Sequence, residues 1–386
     1  MPPAQAENSV QHVSSHLISS TAWPCRVLRI GVLSALGWWL VSLCCLPGVA
    51  GTPWEDEWPA TDFSRHTVAL DEIIDGGPPK DGIAPVDQPR FVDIHAASRW
   101  LTPHEPVIVL IHRGVSRAYP LQILVYHEIV NDVIAGIPVT VTFCPLCYSS
   151  IVFERRVGNR LLDFGTTGKV RKSDLVMYDR QTESWWQQFT GKGIAGTYAG
   201  TELRRMPSTI GSFASFRENF PAGRVLSRDT GFARPYGSNP YSGYDDINKT
   251  PFLFDAPLDK RLPPMAKILA VETAGLHRVY PFSELRKRPV INDVLGGKPL
   301  VILSRQNVNS ALDADSIPDS QLTLAAAAYS RKTAGRTLTF LLKEGQFRDN
   351  ESGSIWNLFG KAVSGPLAGK QLQPLDNGIY FAFAWL

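Results

Sequence analysis

Apolar residues in this chain cluster in short runs of strand length, broken by turn residues. Val107 to Ile111 is one such run, and Val139-Thr140-Val141-Thr142-Phe143 is another, rich in β-branched side chains. Ile151-Val152-Phe153-Glu154 and Leu161-Leu162-Asp163-Phe164 flank the turn pair Gly158-Asn159 and predict a hairpin. Leu338-Thr339-Phe340 follows Ala334-Gly335 in the same manner. Helical spacing is rare. Leu121, Leu124 and Val125 predict one short helix over 120–126. The pattern therefore predicts a mainly β fold with short helices, built from small sandwich-like or barrel-like units.

The pattern also repeats. Arg117-Ala118-Tyr119-Pro120 followed by Ile129-Val130-Asn131-Asp132 is answered by Arg278-Val279-Tyr280-Pro281 followed by Val290-Ile291-Asn292-Asp293. Further on, Asp179, Ser184, Trp186, Gly191, Gly196, Gly200 and Leu203 recur in order as Asp349, Ser354, Trp356, Gly360, Gly365, Gly369 and Leu372. A tandem duplication of a small β-domain follows as the expectation. Its parts are an entry segment 51–104, copy one at 105–206, an aromatic connector at 207–264 and copy two at 265–386. The glycine series recurs as turn glycines and follows no strand-to-helix pattern, so it is not a phosphate loop.

The register between the copies separates scaffold from chemistry. His127 becomes Arg288, Cys144 becomes Arg305 and Cys147 becomes Val308. Three residues able to bind one metal are lost together, while Gly, Pro, Trp and Asn-Asp positions persist. Asp179, Thr182, Ser184 and Trp186 look catalytic in isolation, but their counterparts survive in copy two. They are read as a shared turn and a buried Trp.

Composition changes the picture mainly at the N-terminus. With 44% hydrophobic and 19% charged residues, the chain of 386 is an ordinary globular protein. A formal charge of +3, without a basic stripe, gives no argument for nucleic acid. Arg26 and Arg29 precede an apolar run at 30–46, and Gly48-Val49-Ala50 offers a small-residue cleavage site. Residues 1–50 are thus expected to be an export signal with an N-terminal extension, or a membrane anchor. The location would be periplasmic or secreted. Only Cys144 and Cys147 would remain after cleavage, as a disulfide, a redox pair or a metal clamp.

Geometry favours the clamp. Ala135-Gly136 predicts the turn of a hairpin over 127–144, as Gly296-Gly297 does in copy two. Ile134 then pairs with Ile137, and counting back along both strands sets His127 opposite Cys144. Cβ atoms so placed lie about 4.5–5.5 Å apart, and one ion fits between such ligands. Cys144-Pro145-Leu146-Cys147 forms a tight turn, and Tyr148 to Glu154 reads as a strand, unlike a redox C-x-x-C that opens a helix. Glu128 would point to the opposite face. Met177 as a soft fourth ligand competes with a core role, and Asp245 or Asp246 with a solvated turn. Lys169, Arg171 and Lys172 lie in a stretch present only in copy one, and read by default as a solvated loop. His66, His95, His104 and His112 show no ligand-like spacing.

Tyr119-Pro120-Leu121, His127-Glu128-Ile129-Val130-Asn131-Asp132, Thr142-Phe143-Cys144-Pro145-Leu146-Cys147 and Met177-Tyr178-Asp179-Arg180 together resemble the family labelled domain of unknown function 3179. The resemblance covers most of 105–270 and the rest more weakly. It implies no settled chemistry. The residues themselves point to an exported protein with a single copper or zinc site formed by His127, Cys144 and Cys147, its reaction open. A thiol–disulfide oxidoreductase working through Cys144, and a non-enzymatic binding module with a structural disulfide, are the two competing readings.

Overall fold

The computed structural model describes residues 53–386, which form one compact unit. The expected export segment lies outside the described residues. Among those described, no helix is long and apolar enough to cross a membrane.

The fold is mainly β, with a few short helices. Its sheets are open and none closes into a barrel, so that part of the expectation is corrected. In the first half, one sheet runs in the order Arg205–Met206, Ser149–Glu154, Ile137–Cys144, Ile129–Ile134. A second runs Ile73–Asp75, Phe164–Arg171, Asp174–Asp179, Trp185–Gln187, Lys192–Ala195. A third runs Ser208–Ser212, Pro106–His112, Val115–Pro120, Arg224–Leu226, Phe91–Asp93. Its one parallel pairing joins Arg224–Leu226 to Val115–Pro120. The entry segment therefore contributes edge strands to two sheets, and the start of the connector contributes to the third.

The second half carries smaller versions. Val290–Leu295, Lys298–Asn309 and Leu322–Ser330 form one sheet. Phe340–Lys343, Gln346–Asp349, Ile355–Trp356 and Ala362–Ser364 form another. Leu276–Pro281, Lys267–Thr273 and Asp376–Phe381 form a third, beside a two-stranded hairpin of Lys332–Thr333 and Arg336–Thr337.

The same side-chain bonds recur in both halves. Tyr119 donates to Asp132 Oδ2 at 2.6 Å, and Arg117 pairs with the same carboxylate. Tyr280 and Arg278 do so with Asp293, at 2.8 and 2.6 Å. Asn131 bonds both backbone groups of Phe164, and Asn292 both of Phe340. These bonds explain why the Arg-x-Tyr and Asn-Asp positions persist: each fixes one sheet to the next.

One large hydrophobic cluster runs through both halves, from Val86 and Leu124 to Leu300 and Phe381. Each fully buried Val, Leu, Ile or Phe in it contributes about 1.5–3 kcal/mol. Met177 is part of this cluster, fully buried, as the core reading required.

The shared turn is also structural. Trp186 Nε1 donates to Asp179 Oδ2 at 2.9 Å and Thr182 N to Asp179 Oδ1 at 2.8 Å. Trp356 and Ser352 repeat this on Asp349 at 2.8 and 2.6 Å. Replacing either aspartate by Ala removes the acceptor of three donors: a backbone N–H, a hydroxyl and a buried indole. Asp179→Ala and Asp349→Ala should each lower unfolding free energy by about 2–3 kcal/mol, read from urea midpoints at unchanged m. A null effect at both positions would remove the structural assignment.

Candidate metal centre

Two hairpin tips meet to make the site. The first joins Ile137–Cys144 to Ser149–Glu154, with Cys144 paired to Ser149. Proline at 145 fixes φ after the strand, and Tyr148 turns the chain back with a positive φ of 55°. Cys144 and Cys147 thus face one another across a single tight turn. The second tip joins Phe164–Arg171 to Asp174–Asp179 through Lys172 and Ser173, both at positive φ (52° and 63°). Two non-glycine residues in this region store about 1–2 kcal/mol each, a cost the surrounding packing must offset.

Cys144 Sγ, Cys147 Sγ and an Asp174 carboxylate oxygen lie within 4.8 Å of one another, and all three residues are buried. The Cys147 thiol donates to Asp174 Oδ1 at 3.1 Å. The other carboxylate oxygen, Oδ2, accepts from Phe189 N at 3.0 Å and from the Gln187 side chain. These two donors aim Oδ1 at the thiols. Behind Cys147, Ser149 Oγ lies 3.1 Å from Sγ and donates to Gln188 Oε1 at 2.6 Å. Gln188 in turn donates to Thr142 Oγ1 at 2.7 Å. The backing of the site is a closed hydrogen-bond chain.

Burial is the main influence on every acid here. It pushes both thiols up, Cys147 furthest, where the neighbouring Cys144 sulfur adds to the effect. Asp174 is pushed up to about 6 by burial, against the pull of Gln187, Phe189 and the thiols. Glu128 is pushed up to about 8 by burial, with the Asp174 charge adding and the Tyr241 hydrogen bond opposing. A low thiol pKa and solvent access are what an exchanging dithiol needs, and this pair has neither.

The expected ligand set changes in one member. The hairpin register is as counted, with Ile134 opposite Ile137 and Ile129 opposite Thr142. The strand, however, begins at Ile129. His127 is the last residue of the helix Leu121–His127, and Glu128 caps that helix at φ 56°. The histidine ring therefore leaves the sheet. Its Nδ1 donates to the Ala84 carbonyl at 2.6 Å, and its Nε2 accepts the Tyr236 hydroxyl at 2.6 Å. It is buried, outside the thiol–carboxylate group, and burial lowers its pKa.

Other candidates also lie elsewhere. Asp245 pairs with Lys267 at 2.6 Å, and Asp246 bonds the Asn248 backbone N–H at 3.0 Å. Lys169 is buried against Glu57 and Asp75, while Arg171 and Lys172 pair with Glu72. The entry segment thus neutralises this basic stretch. His66 and His104 contact backbone carbonyls, and the His112 Nε2 is buried without a partner.

Asp174 escaped the sequence reading, and Glu128 was set on the wrong side. The signal for Asp174 is the longer hairpin of the first half: the second-half hairpin closes earlier, at Lys343 and Gln346. Glu128 is buried and lies toward the site. Pro289, next to Arg288, holds the equivalent position in the second half.

A family model described as "Protein of unknown function (DUF3179)" matches residues 80–386. The chain belongs to this family. No curated protein and no solved structure matches it. Within this DUF3179 member, the buried Cys-Cys-Asp group is the one cluster among the described residues with metal-ligand geometry.

The two raised carboxyls set a pH dependence for the metal-free protein. Glu128 binds its proton more tightly folded (about 8) than unfolded (ordinary value 4.5). Between those values the native state holds more protons, so stability is greatest below about 4.5 and falls as pH rises to about 8. The slope approaches 1.4 kcal/mol per pH unit for each such group. Glu128→Gln should flatten this loss in metal-free protein, measured by chemical unfolding from pH 5 to 8. An identical slope in the variant would contradict the assignment.

Proposed function

We propose that this DUF3179 protein is an exported metalloprotein with one mononuclear site, held by Cys144, Cys147 and Asp174. The observation that carries the reading is the convergence of two thiols and an oriented carboxylate in one buried pocket. Donor atoms around a tetrahedral ion sit about 3.5–3.8 Å apart, given metal bonds of about 2.1–2.3 Å. A trio already within 4.8 Å needs only small side-chain adjustment. Zinc suits the whole donor set, and Cu(I) suits the two thiolates. Three protein ligands leave a fourth position, which is the arrangement of metal sites that act on a bound molecule.

The chemistry of the pocket supports the same reading. Burial raises all three groups, so anions here lack a countercharge until a cation enters. Binding would release the thiol protons, and affinity would rise with pH. His127 stands outside this set, as a brace between Ala84 and the connector. The recurring bonds of the two halves support a duplicated unit, with the second copy retained as the scaffold that closes over the site.

Metal analysis of the full chain purified from the export compartment tests this. About one zinc or copper per chain is expected, absent in Cys144→Ala and Cys147→Ala. Asp174→Asn, which removes a direct ligand, should weaken affinity by more than the roughly 10–100-fold that follows loss of a group merely supporting one, while His127→Gln should leave metal content unchanged. A metal-free protein without titratable thiols would replace the metal site by a disulfide.

A further inference from the structure

A cleft of about 810 Å³ opens between the connector and the second half, and none of Cys144, Cys147 and Asp174 lines it. Small-molecule sites have this size. Leu262, Met265, Pro281 and Phe282 give it an apolar wall. Three of its polar residues meet at one point. Lys267 Nζ donates to Asp245 Oδ2 and to Ser310 Oγ, both at 2.6 Å. The Ser310 hydroxyl donates to the same Asp245 oxygen. All three are largely withdrawn from solvent: the side chains of Lys267 and Asp245 are 10% and 7% exposed, and Ser310 is buried.

The three come from separate segments. Lys267 opens the strand Lys267–Thr273, Ser310 follows the strand Lys298–Asn309, and Asp245 lies in the connector. The scaffold common to both halves does not call for them. Val107 pairs with Pro120 as Ile268 pairs with Pro281, so Pro106 stands where the second half has Lys267. An ion pair alone would tie the connector to the strand. The hydroxyl set between the two charges adds what a tie does not need. Lys267 also faces the Tyr148 ring, 4.4 Å from its centre, so its ammonium is held from three sides.

A hydroxyl that donates to a carboxylate and accepts from an ammonium is arranged as a nucleophile with its base. The charges lining the cleft balance, with Asp245, Asp246 and Asp313 against Lys249, Lys267 and Arg286. Neither an anion nor a cation is favoured, and the apolar wall suits an acyl chain. The geometry points to Ser310 as the nucleophile of a second site, independent of the metal reading, which hydrolyses uncharged carboxylic esters. Ser310 Oγ forms a bond to the ester carbonyl carbon as its proton passes to Asp245. Lys267 stabilises the charge that develops on Oγ. The carbonyl–alkoxy bond then breaks, and the leaving alcohol takes the proton from Asp245. Water repeats the sequence on the acyl-serine, which releases the acid and restores Ser310. A carboxylate is a weaker base than an imidazole, so esters with good leaving groups react fastest.

The test uses the full chain with two probes: p-nitrophenyl butyrate as substrate, and an alkyl fluorophosphonate, which phosphonylates activated serines. Saturable release of nitrophenolate is expected, together with one fluorophosphonate adduct that peptide mass mapping places on Ser310. Ser310→Ala should lose both, with a urea midpoint close to wild type. Asp245→Asn should lower kcat by roughly 10²–10⁴-fold, the contribution of a general base, with KM within a few-fold. Should Ser310→Ala fail to fold, the position of the adduct on the wild-type chain decides alone. No adduct at Ser310 in the wild type overturns the proposal. So does hydrolysis that continues unchanged in folded Ser310→Ala, whether or not it is lost in the Cys144→Ala, Cys147→Ala variant.

Discussion

Three acids share one dry pocket, and no two of them can ionise cheaply together. At the separations found, a pair of like charges repels by about 3.5 kcal/mol or more even at an effective dielectric of 20. Burial holds both thiols and Asp174 above their ordinary pKa values, and at the two thiols the neighbouring negative charges add to it. The fold nevertheless spends ordered structure on holding them together. Gln187 and Phe189 N fix the carboxylate, and the Ser149–Gln188–Thr142 chain backs the sulfur. Two thiols and a carboxylate so closely braced form a group that could hold a cation.

The remainder of the molecule closes over that pocket. Phe381 N donates to the Cys147 carbonyl at 3.0 Å, so a strand of the second half holds the ligand turn directly. Lys267 lies 4.4 Å from the centre of the Tyr148 ring and is tethered by Asp245 of the connector. Tyr244, also from the connector, donates to the Leu146 carbonyl at 3.1 Å. The turn is therefore clamped from the connector and from the second half at once. This accounts for the large hydrophobic cluster that runs through both halves, and for why the second half matters to a Cys-Cys-Asp group that lies in the first.

Much of this was legible in the sequence, because the chain carries its own comparison. Subtracting one half from the other picked out Cys144 and Cys147, and marked Asp179, Trp186 and Asn131 as scaffold. The hairpin register was legible too, since Ala135-Gly136 permits the positive φ values such a turn demands. What strand counting could not see was where the strand begins. Glu128 ends the helix in a left-handed conformation, and that one residue turns His127 away from Cys144. Asp174 was hidden for a different reason. It reaches the thiols from a separate hairpin, and no local spacing in the sequence brings residues 147 and 174 together. Only its place in a stretch confined to one half set it apart.

The two halves differ by more than the side chains at the positions of Cys144 and Cys147. Where the first half turns at Cys144-Pro145-Leu146-Cys147, the second continues as the strand Lys298–Asn309, with only a bulge between Gln306 and Val308. Arg305 is exposed there and lies over the Phe347 ring, while Val308 is buried in a core. Side chains at these two positions face different surroundings and cannot converge on one ion. The opposing hairpin is shorter by the segment that would carry the carboxylate. Backbone path, turn proline and hairpin length differ together, so the metal-ligand geometry belongs to the first half as a whole and is not a set of residues that could be transplanted by substitution.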